Sequence, residues 1–206
     1  MSEQHRVPPN ERSSNASLEQ VYGDLLPVRK AFSLLPNYGY PESNLYEYIS
    51  DKTRRHIITF TDEGGIRPQH RALHRAGVDV LDGAMYDRTA VLEVPHGTKS
   101  LRSVANLVER DPDHYAVIFR ILGNELRKIN DADIGAPSGI WLDQFAYAPD
   151  SHSDYGARVV FLPPYNLAEN PNNDISTKIG SELLQTGTVT EPTVQKILWE
   201  VRNGWS

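Results

Sequence analysis

His70 and His74 stand four residues apart in "QHRALH". On a helix that spacing puts two imidazoles on one face, the arrangement that grips a metal ion. No third ligand accompanies them, the metalloprotease glutamate is absent, and Arg71 and Arg75 would repel a cation. The pair therefore reads as surface-facing, and no metal site is expected. Ser138, His152 and one of Asp143, Asp150 or Asp154 are the residue types of a hydrolase triad, but no Gly-x-Ser-x-Gly elbow exists to expose the serine. Asp150, His152 and Asp154 are better accounted for as a solvated hairpin loop than as an acid–base pair. In "DEGG" (62–65) two glycines precede a helix start, where an anion could be cradled, but Asp62 and Glu63 oppose a phosphate, so a plain turn is expected.

Composition excludes several classes. With 206 residues and 39% hydrophobic content the chain has enough material for a real core. It has no cysteine, which removes disulfides, thiolate metal sites and a cysteine nucleophile. Twenty-seven acidic against 21 basic residues give −6, which argues against general nucleic-acid binding. Local basic patches, "KTRRH" at 52–56 and Arg67, Arg71 and Arg75, read as solvated faces. No apolar run is long enough to span a bilayer, and residues 1–20 lack the apolar core of a signal peptide, so no membrane association and a cytoplasmic location are expected. The sequon Asn15-Ala16-Ser17 reads as a chance match.

The elements that must position any site follow from periodicity. Residues 1–16 hold no periodic apolar positions and read as a loose tail. Leu18, Val21, Leu25, Val28 and Phe32 predict one amphipathic helix broken at Gly23 and Pro27. "NLYEYIS" and "RRHIITFTDE" predict a hairpin, "GGIRPQHRALHRAG" a short helix, and "VDVLDGAMYDRTAVLEV" a second hairpin. "HGTKSLRSVANLVER" and "DPDHYAVIFRILGNELRKIND" predict helices, the second with Tyr115, Ile118, Phe119, Leu122, Leu126 and Ile129 on one face. "SGIWLDQFAYAP" and "ARVVFLPPY" predict a strand pair, with Trp141, Phe145 and Tyr147 on one side as core. Val159–Leu162 reads as a strand buried on both faces and ended by Pro163 and Pro164. Two helices close the chain. Trp199 and Trp205 are expected to dock the last one, with Trp205 alternatively a partner anchor. Strands in hairpins and helices in pairs give an α+β class. The expected organisation is a tail (1–16), an N-terminal α+β lobe (17–94) and a mainly helical C-terminal lobe (95–206), joined near Pro95 to Lys99.

This order of elements resembles the protein-kinase-like superfamily, including its small-molecule phosphotransferase branch. "HIITFTDE" matches the third strand, "RPQHRALHRAG" the regulatory helix, and "EVPHGTKSL" the hinge, where Glu93, Gly97 and Leu101 look like the acidic-x-x-x-Gly-x-x-x-Leu form. "YAVIFRILGNELRKINDADIG" matches the long central helix and its exit. The resemblance implies two lobes with a cleft by Glu93, Pro95, Gly97 and Lys99.

Phosphoryl transfer needs a cation on the triphosphate, acids to hold Mg²⁺ and an aspartate to orient the acceptor. "HIITFTDE" has no lysine, "IRPQHRALHRAG" has no acid, "NDADIGAPSG" stands where a His-Arg-Asp loop is implied, and "LPPY" stands where Asp-Phe-Gly is implied. The chain thus resembles a degenerate, pseudokinase-like form. The expected function is a non-catalytic binding or regulatory module with a protein partner and no cofactor. The alternatives are an active phosphotransferase using Asp131, Asp133 or Asp143, and an unrelated α+β interaction protein.

Overall fold

The computed structural model describes residues 26–27, 44–50, 53–61, 66–86, 89–134, 136–137, 142–163, 165, 167–168, 175–187 and 189–206. The expected tail and "DEGG" lie outside these.

Three antiparallel sheets and five helices make up the described residues. The first sheet has the order β1-β2-β3-β5-β4, from β1 (Leu26–Pro27), β2 (Asn44–Ser50), β3 (Thr53–Thr61), β4 (Gly83–Tyr86) and β5 (Thr89–Val94). The two expected hairpins therefore share one sheet, joined by pairing of Ile58 with Leu92 and of His56 with Val94. Helix α1 (Ile66–Arg75) connects them. A second sheet, β6-β8-β9, is built from β6 (Lys99–Ser100), β8 (Phe145–Pro149) and β9 (Ala157–Phe161). β7 (Ala136–Pro137) and β10 (Leu167–Ala168) pair separately. The remaining helices are α2 (Leu101–Val108), α3 (Pro112–Asp131), α4 (Ile175–Thr186) and α5 (Glu191–Trp205).

Local chemistry explains the helix starts. Ser100 Oγ accepts the Ser103 N–H to cap α2, and Asp111 Oδ1 accepts the His114 N–H at the head of α3, where Pro112 needs no donor. At α5 the cap comes from another element: Glu109 Oε1, just past α2, accepts the Thr190 N–H at 2.6 Å. Those hydrogen bonds hold the Glu109 carboxyl below its ordinary range.

One hydrophobic cluster runs through Ile58, Leu73, Leu92, Leu122, Phe145, Phe161 and Ile197. Its densest seam is the crossing of α3 and α5. A Cβ at Gly204 would strike the Arg120 carbonyl, and one at Gly123 the Val201 carbonyl, so the two backbones touch. Beside this contact Arg120 Nε donates to Glu200 Oε2 at 2.8 Å.

Three expectations need correction. Leu26 and Pro27 lie in a strand paired with Glu47 and Tyr46, not in a helix. Proline removes a donor from a helix interior, whereas a sheet edge needs none on its outer side. The rest of that expected helix falls outside the described residues. The strand foreseen in "SGIWLDQFAYAP" begins only at Phe145, because Leu142–Gln144 form a 3₁₀ turn. Trp205 packs against the core, but Trp199 is 57% exposed. The buried face of α5 is Val194, Ile197, Leu198 and Val201, and one more helical turn reaches 205 while 199 points away.

Candidate functional site

The expected hinge starts where β5 ends. Glu93 is half-buried, and its N–H donates to the Asp82 carbonyl at 2.8 Å. The chain then turns at Pro95: the Pro95 carbonyl accepts both the Thr98 N–H (3.2 Å) and the Thr98 hydroxyl (2.6 Å), while Gly97 takes φ 81°. A side chain at that φ would be strained, and a Cβ would also press on Pro149. Lys99 is exposed and pairs in β6 with Tyr147. Proline has no N–H, so position 95 has no backbone donor to offer.

The exit of β9 belongs to the same sheet as β6, at the end of β8 away from this turn, since Pro149 pairs with Ala157 and Phe145 with Phe161. Val159, Val160, Phe161 and Leu162 are buried, as expected for a strand covered on both faces, and Pro163 is buried as well. The Leu162 N–H donates to the Gln144 carbonyl at 2.7 Å, which seats the 142–144 turn against the exit. That turn is held from the other side by Glu182 of α4. Its carboxylate accepts the Leu142 N–H at 2.9 Å and the Arg102 guanidinium at 2.5 Å.

Tyr165 follows, fully buried, and meets α1. Its hydroxyl hydrogen-bonds His70 Nδ1 at 2.7 Å. Phe145 stacks on Phe161 at 4.6 Å, Phe161 meets Tyr165 edge-on at 5.2 Å, and the Tyr165 and His70 ring centres are 5.9 Å apart. A column of rings thus runs from β8 through β9 to α1. Burial pushes the Tyr165 phenol far above its usual range, so it stays protonated. Burial, reinforced by the neighbouring His74, lowers the His70 pKa, and Asp82 opposes that shift.

A second joint reinforces the first. The Phe161 N–H donates to the Asp79 carbonyl at 2.8 Å, and Val80 pairs with Phe161 in a parallel bridge. The Asp79 N–H in turn donates to Glu125 Oε2 on α3 at 2.7 Å, and Lys128 Nζ donates to Oε1 at 2.6 Å. Arg158 closes the group on Asp79 Oδ1 at 3.1 Å. Glu125 is 4% exposed, and burial outweighs its donors to raise its pKa.

The remaining sequence candidates are dispersed. Asp131, the last residue of α3, and Asp133, at φ 51°, are both exposed. Asp143 belongs to the 3₁₀ turn. The Asp150–His152–Asp154 group is a hairpin loop in which Asp150 Oδ1 accepts the His152 N–H; Ser138 lies outside the described residues. His70 and His74 do not form the expected surface pair, since His70 turns inward to Tyr165 while His74 is exposed. Among the described residues no three metal-ligating side chains come together, and none of their helices is long and apolar enough to cross a membrane.

The sequence reading missed Glu125, Glu182 and Tyr165. Two of them carried a signal, because Glu125 falls on the apolar stripe of α3 between Leu122 and Ile129, and Glu182 sits between Ile179 and Leu183. A carboxylate on such a stripe must find donors.

No family model and no curated protein matches the chain. Solved structures do. One, described as WaaP in complex with acyl carrier protein, aligns over 80% of this chain and 76% of its own, with 13% identity and a TM-score of 0.50. Another, a Neurospora crassa PAN3 pseudokinase mutant, aligns over 96% of this chain and 60% of its own, with 11% identity and a TM-score of 0.45. Taken with the shared first sheet, the connecting helix α1, the long helix α3 and the strand pair after it, the comparison shows that this chain has an α+β, kinase-like fold.

Proposed function

We propose that the chain is a non-catalytic kinase-like module that binds or regulates a protein partner in the cytoplasm. Its cleft would lie by Glu93, Pro95, Gly97 and Lys99, between lobes of residues 17–94 and 95–206. The observation that carries this reading is the exit of β9. Where phosphoryl transfer calls for an acid that holds Mg²⁺, Leu162 and Pro163 are buried and apolar, and Tyr165 is fastened to α1 through His70. The lack of a lysine in β3 and of an acid in α1 points the same way. The doubly bonded Pro95 carbonyl further reduces what the hinge offers to a nucleobase. A neighbour of this fold captured with an acyl carrier protein gives precedent for a protein partner.

An active phosphotransferase with rearranged acids is the second reading. It would rest on Asp143, because its turn is bonded to the β9 exit. Thermal unfolding with ATP, with and without Mg²⁺, separates the two. A non-catalytic module shows no Mg²⁺-dependent rise in Tm, whereas a ligand at a hundredfold excess over its Kd would add about 2.7 kcal/mol. A metal-dependent rise accompanied by loss of the γ-phosphate, both abolished in Asp143→Asn, would overturn the proposal.

A further inference from the structure

Helix α1 has a second face that the cleft does not use. Its ten residues, "IRPQHRALHR", include three arginines, two histidines and no acid. Leu73 is buried and His70 turns to Tyr165, while Arg71, His74 and Arg75 are all exposed on the other side. Residues three and four apart on a helix are neighbours, so these side chains form one patch about a turn long. Among the described residues none of the three enters an ion pair; the carboxylates described in ion pairs with Lys or Arg are taken by Arg102, Arg120, Lys128, Arg158 and Lys196. The chain as a whole carries −6, so this patch is opposite in sign to the molecule that bears it.

We infer that the exposed face of α1, centred on Arg71, His74 and Arg75, docks a carboxylate-rich helix of a partner protein. Charge complementarity selects this occupant. Two guanidinium forks one turn apart match carboxylates at i and i+4 on a facing helix, each able to bond bidentately. A nucleic acid would bring a long row of phosphates against a net-negative body, whereas a short acidic helix meets only the local positive field. The inference is independent of whether the cleft transfers phosphate. It gives α1 two occupied sides, since the helix that would receive the partner also holds the His70 contact with Tyr165.

The test uses the full chain and a fluorescein-labelled alanine-based helical peptide carrying glutamates at i, i+3 and i+4, followed by anisotropy. Binding is expected at low salt and should weaken as salt is added. Arg71→Glu/Arg75→Glu should weaken it by about tenfold or more, a change of about 1.4 kcal/mol, while Arg110→Glu on another exposed surface leaves it unchanged. Should charge reversal disturb folding, Arg71→Gln/Arg75→Gln removes the charges and keeps helix propensity, with the same loss expected. Three results would each overturn the inference: no binding by the unmodified chain, binding unaffected by both double variants, or preference for a single-stranded oligonucleotide over the peptide that is lost in the same variants.

Discussion

The crossing of α3 with α5 and the junction of α1 with the end of β9 both tie distant parts of the chain together, but by different means. At the first, glycines let two backbones touch and an arginine–glutamate pair flanks the contact. At the second, rings meet at their edges and one side-chain hydrogen bond spans the gap, backed by a short backbone bridge. Backbone contact leaves no room to adjust, because packed interiors resist added volume. A joint of ring edges and a single hydroxyl can loosen at small cost. Of the two junctions, the α3–α5 seam is therefore the more rigid and the joint between α1 and the end of β9 the more adjustable.

The largest blow to this contrast should come from Gly204→Val. The new side chain collides with the Arg120 carbonyl, and a loss of about 3 kcal/mol is expected in chemical denaturation, with the whole molecule unfolding as one unit. A variant as stable as the parent would show that the seam is not tight. Glu182→Ala comes next. It takes the acceptor from the buried Leu142 N–H and should cost about 2 kcal/mol. Hydrogen exchange should rise first at 142–145, and uniform exchange would deny the turn its separate support.

Tyr165→Phe is the mildest and sharpest probe. It keeps the ring column and deletes the hydroxyl, for a loss of about 1 kcal/mol. Exchange should increase in 66–82 while the α3–α5 seam stays protected; faster exchange throughout would merge the two regions into one. The same joint has a pH signature. His70 has its pKa held below the ordinary 6.5, so the unfolded chain takes up this proton first. Stability from this residue is complete above about pH 6.5 and declines as pH falls through and below that value. In His70→Gln that part of the slope should vanish from a plot of Tm against pH.

How far these features were legible depends on the range of the interaction that makes them. The hairpin of β2 and β3, helix α3 and the doubly buried β9 arise from alternation or helical spacing within a few residues, and each stands within a residue or two of where its pattern puts it. Helical phase would also have sorted Trp205 from Trp199, since only the former continues the stripe of Ile197 and Val201. The edge strand at Leu26–Pro27 exists through partners at 46 and 47, which no local pattern announces. The pairing of His70 with Tyr165 is equally silent, because neither neighbourhood points to the other. The break in the chain after β5 was visible in Pro95 and Gly97, but the closure of Thr98 onto Pro95 was not, since threonine has no fixed role in turns.

The contact between His70 and Tyr165 spans 95 residues of chain. During synthesis, at about 5–20 residues per second, α1 leaves the ribosome some 5–20 s before its tyrosine does. The first sheet can zip from neighbouring hairpins in that interval, yet the helix bonded to Tyr165 must wait with its inner face uncovered. The order of manufacture thus sets this joint after the first sheet but before the α3–α5 seam, which cannot close until Gly204 has been added.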